Sequence, residues 1–226
     1  MSQAPDQARP PAVPERLVMP IFPLPDVVLF PGVVVPLHVF EERYRRLVAD
    51  VLAGDRRFGL AVLRPGWQVD YAGRPPVYPL VGYGVVEAAL ELPDGRFQIQ
   101  VRGEGKGRIL SEEPGGPYRR VILAREADAP AGPALAAWVE TIAALLPELF
   151  PRAGGGDGRG RAVRDLEFVH LVASELALAP EEKLGLLALS DPLERAQQVA
   201  AWLEHLKDRR QALAAHRPGR GDPELN

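Results

Sequence analysis

The sequence predicts an α+β chain, with a β-rich first half that closes into a small twisted barrel and a bundle of helices behind it. Three observations carry this reading. Ahead of the stretch Ala129–Pro133, proline, glycine and β-branched residues dominate and apolar positions alternate with polar ones. Behind it, apolar residues recur at helical spacings of three and four. The first half also holds several short extended runs separated by turn residues, with a single helical run among them, and that pattern suits a barrel.

In chain order, residues 1–16 form a polar, Pro- and Ala-rich start that reads as a disordered tail. Val18–Leu24 is extended but carries Pro20 and Pro23. Proline cannot donate to a ladder, so this run is expected at a sheet edge or over a barrel rim. Pro31-Gly32 marks a turn, and Val33–Leu37 reads as a short strand. A helix is predicted over Glu41–Ala53, where Phe40, Tyr44, Leu47, Val48 and Val51 share one face and Gly54 can close the end. Arg57–Leu63 reads as a strand and Arg64–Pro76 as a loop. Val77–Leu92 reads as a long strand in which Gly82 and Gly84 mark a bulge or bend. Pro93-Asp94-Gly95 is a hairpin turn. Phe97, Ile99 and Val101 then alternate with Gln98 and Gln100, and Arg108–Leu110 and Tyr118–Ala124 supply two further extended pieces. The β-rich subdomain is assigned to 17–128, with a linker at 129–133.

The helical subdomain is assigned to 134–215. Leu135, Trp138, Ile142, Leu145 and Leu149 line one helix, which ends at Phe150-Pro151. A glycine-rich loop covers 151–161, with Gly154–Gly160 as a flexible linker. A second helix is expected over Val163–Leu178, and a short third one starts at Pro180 and runs through Leu189. The last helix has a strong start: Asp191 can cap, Pro192 takes the first position and Glu194 completes a capping box. Leu193, Ala196, Ala200, Leu203, Leu206, Arg210 and Leu213 then trace one face. Residues 216–226 read as a disordered tail.

Composition narrows the function. The 226 residues are 46% hydrophobic and 25% charged, with a formal net charge of −3, so a general nucleic-acid binder is disfavoured. There is no cysteine, which removes disulfides, thiolate metal sites and cysteine nucleophiles and suits a cytoplasmic protein. The most apolar stretch, Val27–Phe40, is broken by Pro31, Gly32 and Pro36, so no membrane span is expected.

Catalytic patterns fail on inspection. Gly103–Gly107 has the glycines of a phosphate loop but not the spacing, and reads as a strand bend. Ser174 lies mid-helix, where its hydroxyl bonds back to a carbonyl, and no nucleophile elbow is present. His38, His170, His205 and His216 lack ligand spacing and read as surface or satisfied core histidines. Glu41-Glu42 and Glu181-Glu182 complement helix starts. No catalytic, cofactor-binding or metal residue is expected. Met19–Phe40 is the segment that asks for a function. It is either a barrel edge folded into the core or an apolar groove for an extended peptide, in which Phe22, Leu24 and Phe30 would hold the client with Tyr83 as a second wall.

The run Met19-Pro20-Ile21-Phe22-Pro23-Leu24-Pro25, then Leu29-Phe30-Pro31-Gly32, Pro36-Leu37-His38-Val39-Phe40-Glu41 and Arg43-Tyr44-Arg45, resembles the substrate-binding N-terminal domain family of Lon proteases. Val101-Arg102-Gly103, Arg108-Ile109, Ala179-Pro180-Glu181-Glu182-Lys183 and Asp191-Pro192-Leu193-Glu194-Arg195 extend the resemblance over about Leu17–Leu213. It implies a PUA-like pseudo-barrel followed by a helical bundle. It also implies a non-catalytic module that binds unfolded or apolar protein segments, as an adaptor or regulator in protein quality control with a protease as a partner. Full-length members continue into an ATPase and a Ser–Lys peptidase, and the chain is expected to carry neither. The departures from the family are Gly154–Gly160 and Lys106-Gly107. RNA binding is the alternative, because PUA-like barrels occur in RNA-modifying proteins. The acidic balance counts against it.

Overall fold

The computed structural model describes residues 15–71, 73–149 and 165–215. The predicted tails before Glu15 and after Ala215, the glycine loop at 151–161 and the start of the Val163 helix lie outside the described residues.

Six strands come first: β1 (Arg16–Leu24), β2 (Val34–Val39), β3 (Arg57–Leu63), β4 (Val77–Glu91), β5 (Phe97–Glu113) and β6 (Arg120–Glu126). Helix α1 (Glu42–Leu52) lies between β2 and β3, and a short 3-10 turn (Trp67–Asp70) interrupts the expected loop before β4. The strand order is β2-β5-β4-β3-β1-β6, and β5 pairs with β6 as well. The five strands β1, β3, β4, β5 and β6 therefore form a closed ring, and β2 is added to the free flank of β5. β5 is one long strand rather than the separate pieces expected. It runs unbroken through Gly103, Gly105 and Gly107 and is bent by register shifts against β4 and β6.

β1 departs from the edge position that its prolines suggested. Arg16–Pro20 pairs antiparallel with β6, and Ile21–Leu24 pairs parallel with β3. The ladder changes partner at Pro20/Ile21, so each half of β1 has one paired flank and the prolines are tolerated as they are on an edge. Gly54 takes no left-handed conformation. Arg56 does, with φ 65°, held by bonds from its backbone N–H to the Val51 carbonyl (2.9 Å) and from its Nε to the Val86 carbonyl (2.8 Å). The hairpin turn behaves as expected, with Gly95 at φ 77°.

Two glycines fix how the Leu29–Pro31 segment lies on the barrel. A Cβ at Gly82 would stand 2.0 Å from the Leu29 carbonyl oxygen, and one at Gly103 would stand 2.1 Å from that of Phe30. Only bare backbone lets the segment cross β4 and β5 so closely, and Gly32 N–H to Gly103 O (2.8 Å) closes the contact.

The helices are α2 (Ala134–Leu149), α3 (Asp165–Glu175), α4 (Pro180–Ala188) and α5 (Pro192–Ala215). The Asp191 carboxylate accepts the Leu193 N–H at 2.9 Å, capping α5. At the start of α4 the Glu182 carboxylate reaches back to the Ala179 N–H at 2.8 Å. Ala196, Val199, Ala200 and Leu203 of α5 are buried, whereas Arg210 and Leu213 at its far end are exposed. Ser174 donates back to the Leu171 carbonyl at 2.7 Å, as a mid-helix serine should.

Three apolar clusters result. One joins Phe30, Val33, Val62 and Leu80 of the barrel to Leu135, Ile142, Val169, Leu187, Val199 and Leu203 of the helices. A second packs α1 through Tyr44, Leu47, Val48 and Val51 onto β2, β3 and β5. The third lies across β1, β3, β4 and β6 and contains Met19, Ile21, Val81, Tyr83 and Leu123. No described helix is long and apolar enough to cross a membrane.

Candidate functional site

The structure distributes the four residues expected to hold a peptide over all three clusters. Phe22 is 5% exposed and stacks on Tyr44 with ring centres 4.2 Å apart. Phe30 has no exposure and faces the helices, 5.8 Å from the His170 ring. Tyr83 is buried in the third cluster, and Leu24 is half-buried beside the α1 cluster. Met19–Pro23 of β1 is buried on both faces, and Leu29–Pro31 crosses the glycines of β4 and β5 at close range, so the Phe22 and Phe30 rings are both enclosed.

Open clefts lie along α1 and also beside β1 and β4, where Tyr83 borders one of about 670 Å³. A cleft of about 800 Å³ is lined by Glu42, Arg45, Arg46 and Ala49 of α1, by Tyr71, and by Glu91 and Phe97 beside the β4–β5 turn. It shares Arg43 and Pro117 with a smaller cleft of about 260 Å³. The smaller cleft is lined by Pro23, Tyr44, Arg74, Pro75, Tyr118 and Arg119. Arg43 is fixed at the boundary: its Nε donates to Glu41 at 3.1 Å and its Nη2 to the Tyr71 carbonyl at 3.1 Å. Its guanidinium lies 4.6 Å from the Tyr44 ring centre and 5.1 Å from that of Tyr71. Burial pushes the Tyr44 phenol up to about 12, so it remains a proton donor at neutral pH. Arg45 reaches the Asp94 carbonyl through Nη1 at 3.1 Å, while its buried Nε has no partner among the described residues.

A second polar assembly lies inside the joint between barrel and helices. Arg195 has no exposure and Lys106 is 2% exposed. Lys106 Nζ donates to the carbonyls of Leu187 and Leu189 and to Asp128, each at 2.7 Å, which uses all three of its protons. Arg195 donates to both oxygens of Asp128 and, through Nε, to the Leu186 carbonyl at 2.9 Å. His170 Nδ1 lies 2.8 Å from the Pro31 carbonyl, which can only accept, so Nδ1 carries the proton. His170 Nε2 then accepts from Arg195 Nη1 at 2.7 Å. Burial, reinforced by the Arg195 charge, lowers the His170 pKa to about 4. Burial alone would raise Asp128, but bonds from Arg195 and Lys106 outweigh it and hold the carboxyl below its ordinary value. Two cations and one anion leave a positive excess, and it sits on the carbonyls that close α4, where the helix dipole is negative. The assembly fastens rather than reacts, because every polar group is occupied.

Among its members, His170 reads as the satisfied core histidine that the sequence suggested. Sequence reasoning missed Lys106, Asp128 and Arg195 as a set, and also the convergence of Arg43, Arg74 and Arg119 on one cleft. Each set comes from segments far apart in the chain, with no local spacing to announce it.

Comparison with known proteins gives a consistent result. Residues 18–205 match the model of the ATP-dependent protease La (LON) substrate-binding domain. The Lon protease of Roseiflexus castenholzii is 30% identical over 213 residues, covering 88% of this chain and 25% of that protein. That of Solibacter usitatus is 26% identical over 192 residues, covering 82% of this chain and 24% of that protein. This chain thus spans about a quarter of the length of the curated relatives it matches. Among solved structures, the N-terminal domain of Mycobacterium avium complex Lon protease superposes with a TM-score of 0.64 at 18% identity, covering 83% of this chain and 98% of that one. A Lon N-terminal domain protein from Xanthomonas campestris gives 0.57 at 23%, covering 82% and 98%. With the fold and most of its length accounted for in this way, the chain belongs to the family of the Lon substrate-binding domain.

Proposed function

We propose that this protein is a non-catalytic polypeptide-binding module that receives unfolded or apolar protein segments in the cleft along α1. The observation that carries the reading is the cleft itself: it is about 800 Å³, open, and floored by Phe97, Ala49, Tyr71 and the stems of Arg45 and Arg46. Phe22 supports it from beneath by stacking on Tyr44, and Leu24 packs beside the same cluster. Phe30 and Tyr83 contribute through the shape of the barrel. Membership in a substrate-binding family supports the same reading. In the cell the module acts as a cytoplasmic adaptor or regulator that passes clients to a protease or withholds them from it.

RNA binding gains no support from the charges. The arginines of the strands face carboxylates, as in Arg57–Glu104, Arg102–Glu87, Arg108–Glu126 and Arg120–Glu113, and leave no open basic stripe along the sheet. The deciding experiment is hydrogen exchange of the whole chain with and without a reduced, unfolded client such as carboxymethylated lactalbumin. Protection confined to α1, the Tyr71 loop and the β4–β5 turn is the expected result. Protection elsewhere, or none at saturating client, overturns the placement. Hydrolysis of ATP or casein that copurifies with the chain would overturn the non-catalytic assignment.

A further inference from the structure

Strand β1 keeps one open edge. Between Arg16 and Pro20 it pairs only with β6. The Arg125 N–H donates to the Glu15 carbonyl at 2.8 Å, and the Ile21 N–H donates to the Arg119 carbonyl at 2.9 Å. Odd-numbered residues of this half therefore turn their backbone groups to β6, and even-numbered ones turn theirs the other way. On that other flank β3 is the neighbour, but its ladder with β1 begins only at Ile21 and Gly59. Pro20 has no N–H to carry the parallel ladder back to Arg57, and the Arg57 N–H is taken by the Asp55 carboxylate at 3.2 Å. The two strands part there. The N–H and C=O groups of Arg16 and Val18 are left facing a cleft of about 670 Å³.

The surroundings of this edge supply a second observation. Apolar side chains stand on both faces of the open strand. Leu17, Met19 and the Tyr83 ring lie on the barrel side. Val18 and Leu110 are exposed on the outside, with Ile122 of β6 paired to Val18 between them. The charges that line the cleft balance: Arg57 pairs with Glu104, Arg125 pairs with Glu15, and Arg16 and Asp55 are opposite in sign.

We infer that this edge receives an extended, uncharged segment of a partner protein, which adds to the sheet as a further strand beside β1. The backbone groups of Arg16 and Val18 bind its backbone, and its alternate side chains meet Val18 outside and Leu17 and Met19 inside. A cleft of this size admits one short segment and not the edge of a second folded sheet. The chain's own start is a poor occupant, because Pro10, Pro11 and Pro14 withhold donors that a hairpin with β1 needs. Among the described residues, none that lines this cleft lines either α1 cleft, so client and partner have separate places. An adaptor requires that arrangement. The inference rests on the adaptor reading and gives the partner a chemistry.

Calorimetric titration of the full chain with a heptapeptide of alternating threonine and valine, blocked at both ends, tests this. The peptide should bind. The same peptide N-methylated on its inner residues keeps every side chain and loses its donors. It should bind about tenfold or more weakly, the worth of a pair of backbone hydrogen bonds. Val18→Pro should abolish binding while the melting temperature holds, because the Val18 N–H serves no ladder and Pro20 already sits on the same flank. Equal affinity for the two peptides overturns the inference, and so does a folded Val18→Pro chain that binds as the wild type does. If Val18→Pro does not fold, the peptide pair decides alone. Absence of peptide binding overturns the inference and leaves the client reading standing. Carboxymethylated lactalbumin should bind the peptide-saturated chain as it binds the free chain. Displacement of one by the other makes the edge a second client site, and the partner assignment is then wrong. If the client binds neither form, the client reading falls, and the peptides alone judge the edge.

Discussion

Arg195 grips Asp128 through two parallel hydrogen bonds of 2.6 and 2.9 Å, across 67 residues of sequence. One partner follows the last strand and the other sits in the first turn of the last helix, so the pair joins the barrel to the bundle. Lys106 completes the arrangement from β5, and the backbone N–H of Ala129 adds a 2.7 Å bond to the Ser190 carbonyl beside it.

Removing the anion alone should be severe. Asp128→Ala leaves Lys106 and Arg195 buried with no counter-charge, which typically costs about 3–5 kcal/mol. Urea denaturation followed by circular dichroism would measure it. Lys106→Met should cost distinctly less, because Asp128 keeps both bonds to Arg195. Equal losses for the two would contradict the geometry.

His170 should give the protein an acid-sensitive limb. Its folded pKa is about 4, below the ordinary 6.5, so the unfolded chain takes up the proton first as pH falls. Stability is therefore full above pH 6.5 and declines as pH drops from there toward 4, by about 3 kcal/mol in total. Denaturation midpoints measured between pH 7 and 4 should show this slope in the wild type, and His170→Gln should flatten it.

Phe22 and Phe30 should behave as core residues in stability assays. Phe22→Ala removes a ring stacked on Tyr44 at 4.2 Å and should cost about 3–5 kcal/mol. A melting temperature within a degree of wild type would place that ring outside the core.

Two glycines should respond in opposite directions. Gly82→Ala drives a methyl to 2.0 Å from the Leu29 carbonyl and should cost about 3 kcal/mol or more. Gly185 sits inside α4 with nothing within 4 Å of an added Cβ, so Gly185→Ala should stabilise by about 0.5–1 kcal/mol. Thermal melts of the two variants side by side test both.

The parts of this fold legible in the sequence are those written in local periodicity. Tyr44, Leu47, Val48 and Val51 announced α1, the Asp94-Gly95 turn announced its hairpin, and Asp191 announced the start of α5. What stayed hidden depends on pairing between distant segments. Pro20 and Pro23 argued correctly for a free flank, but nothing in the run could reveal that the free flank changes sides halfway along. The apolar character of Met19–Phe40 was equally visible, and the close crossing at Gly82 and Gly103 that turns its rings inward was not. The α1 clefts escaped notice because Arg43, Arg74 and Arg119 lie on three separate segments, and arginine is common throughout the chain.

The split pairing of β1 also has a kinetic meaning. Its first half lies against β6, so the contacts at Arg16–Ala124 close roughly a hundred residues of intervening chain. Its second half needs β3 already in place as a parallel template. Neither flank can form as a simple hairpin, and the strand nearest the amino end is the last to find both neighbours. In chain order β3 follows β1 well before β6 does, so the second half of β1 can pair early while its first half waits, with unpaired backbone, until β6 is made. Pro20, by removing a donor from that waiting half, limits what else it can pair with in the meantime.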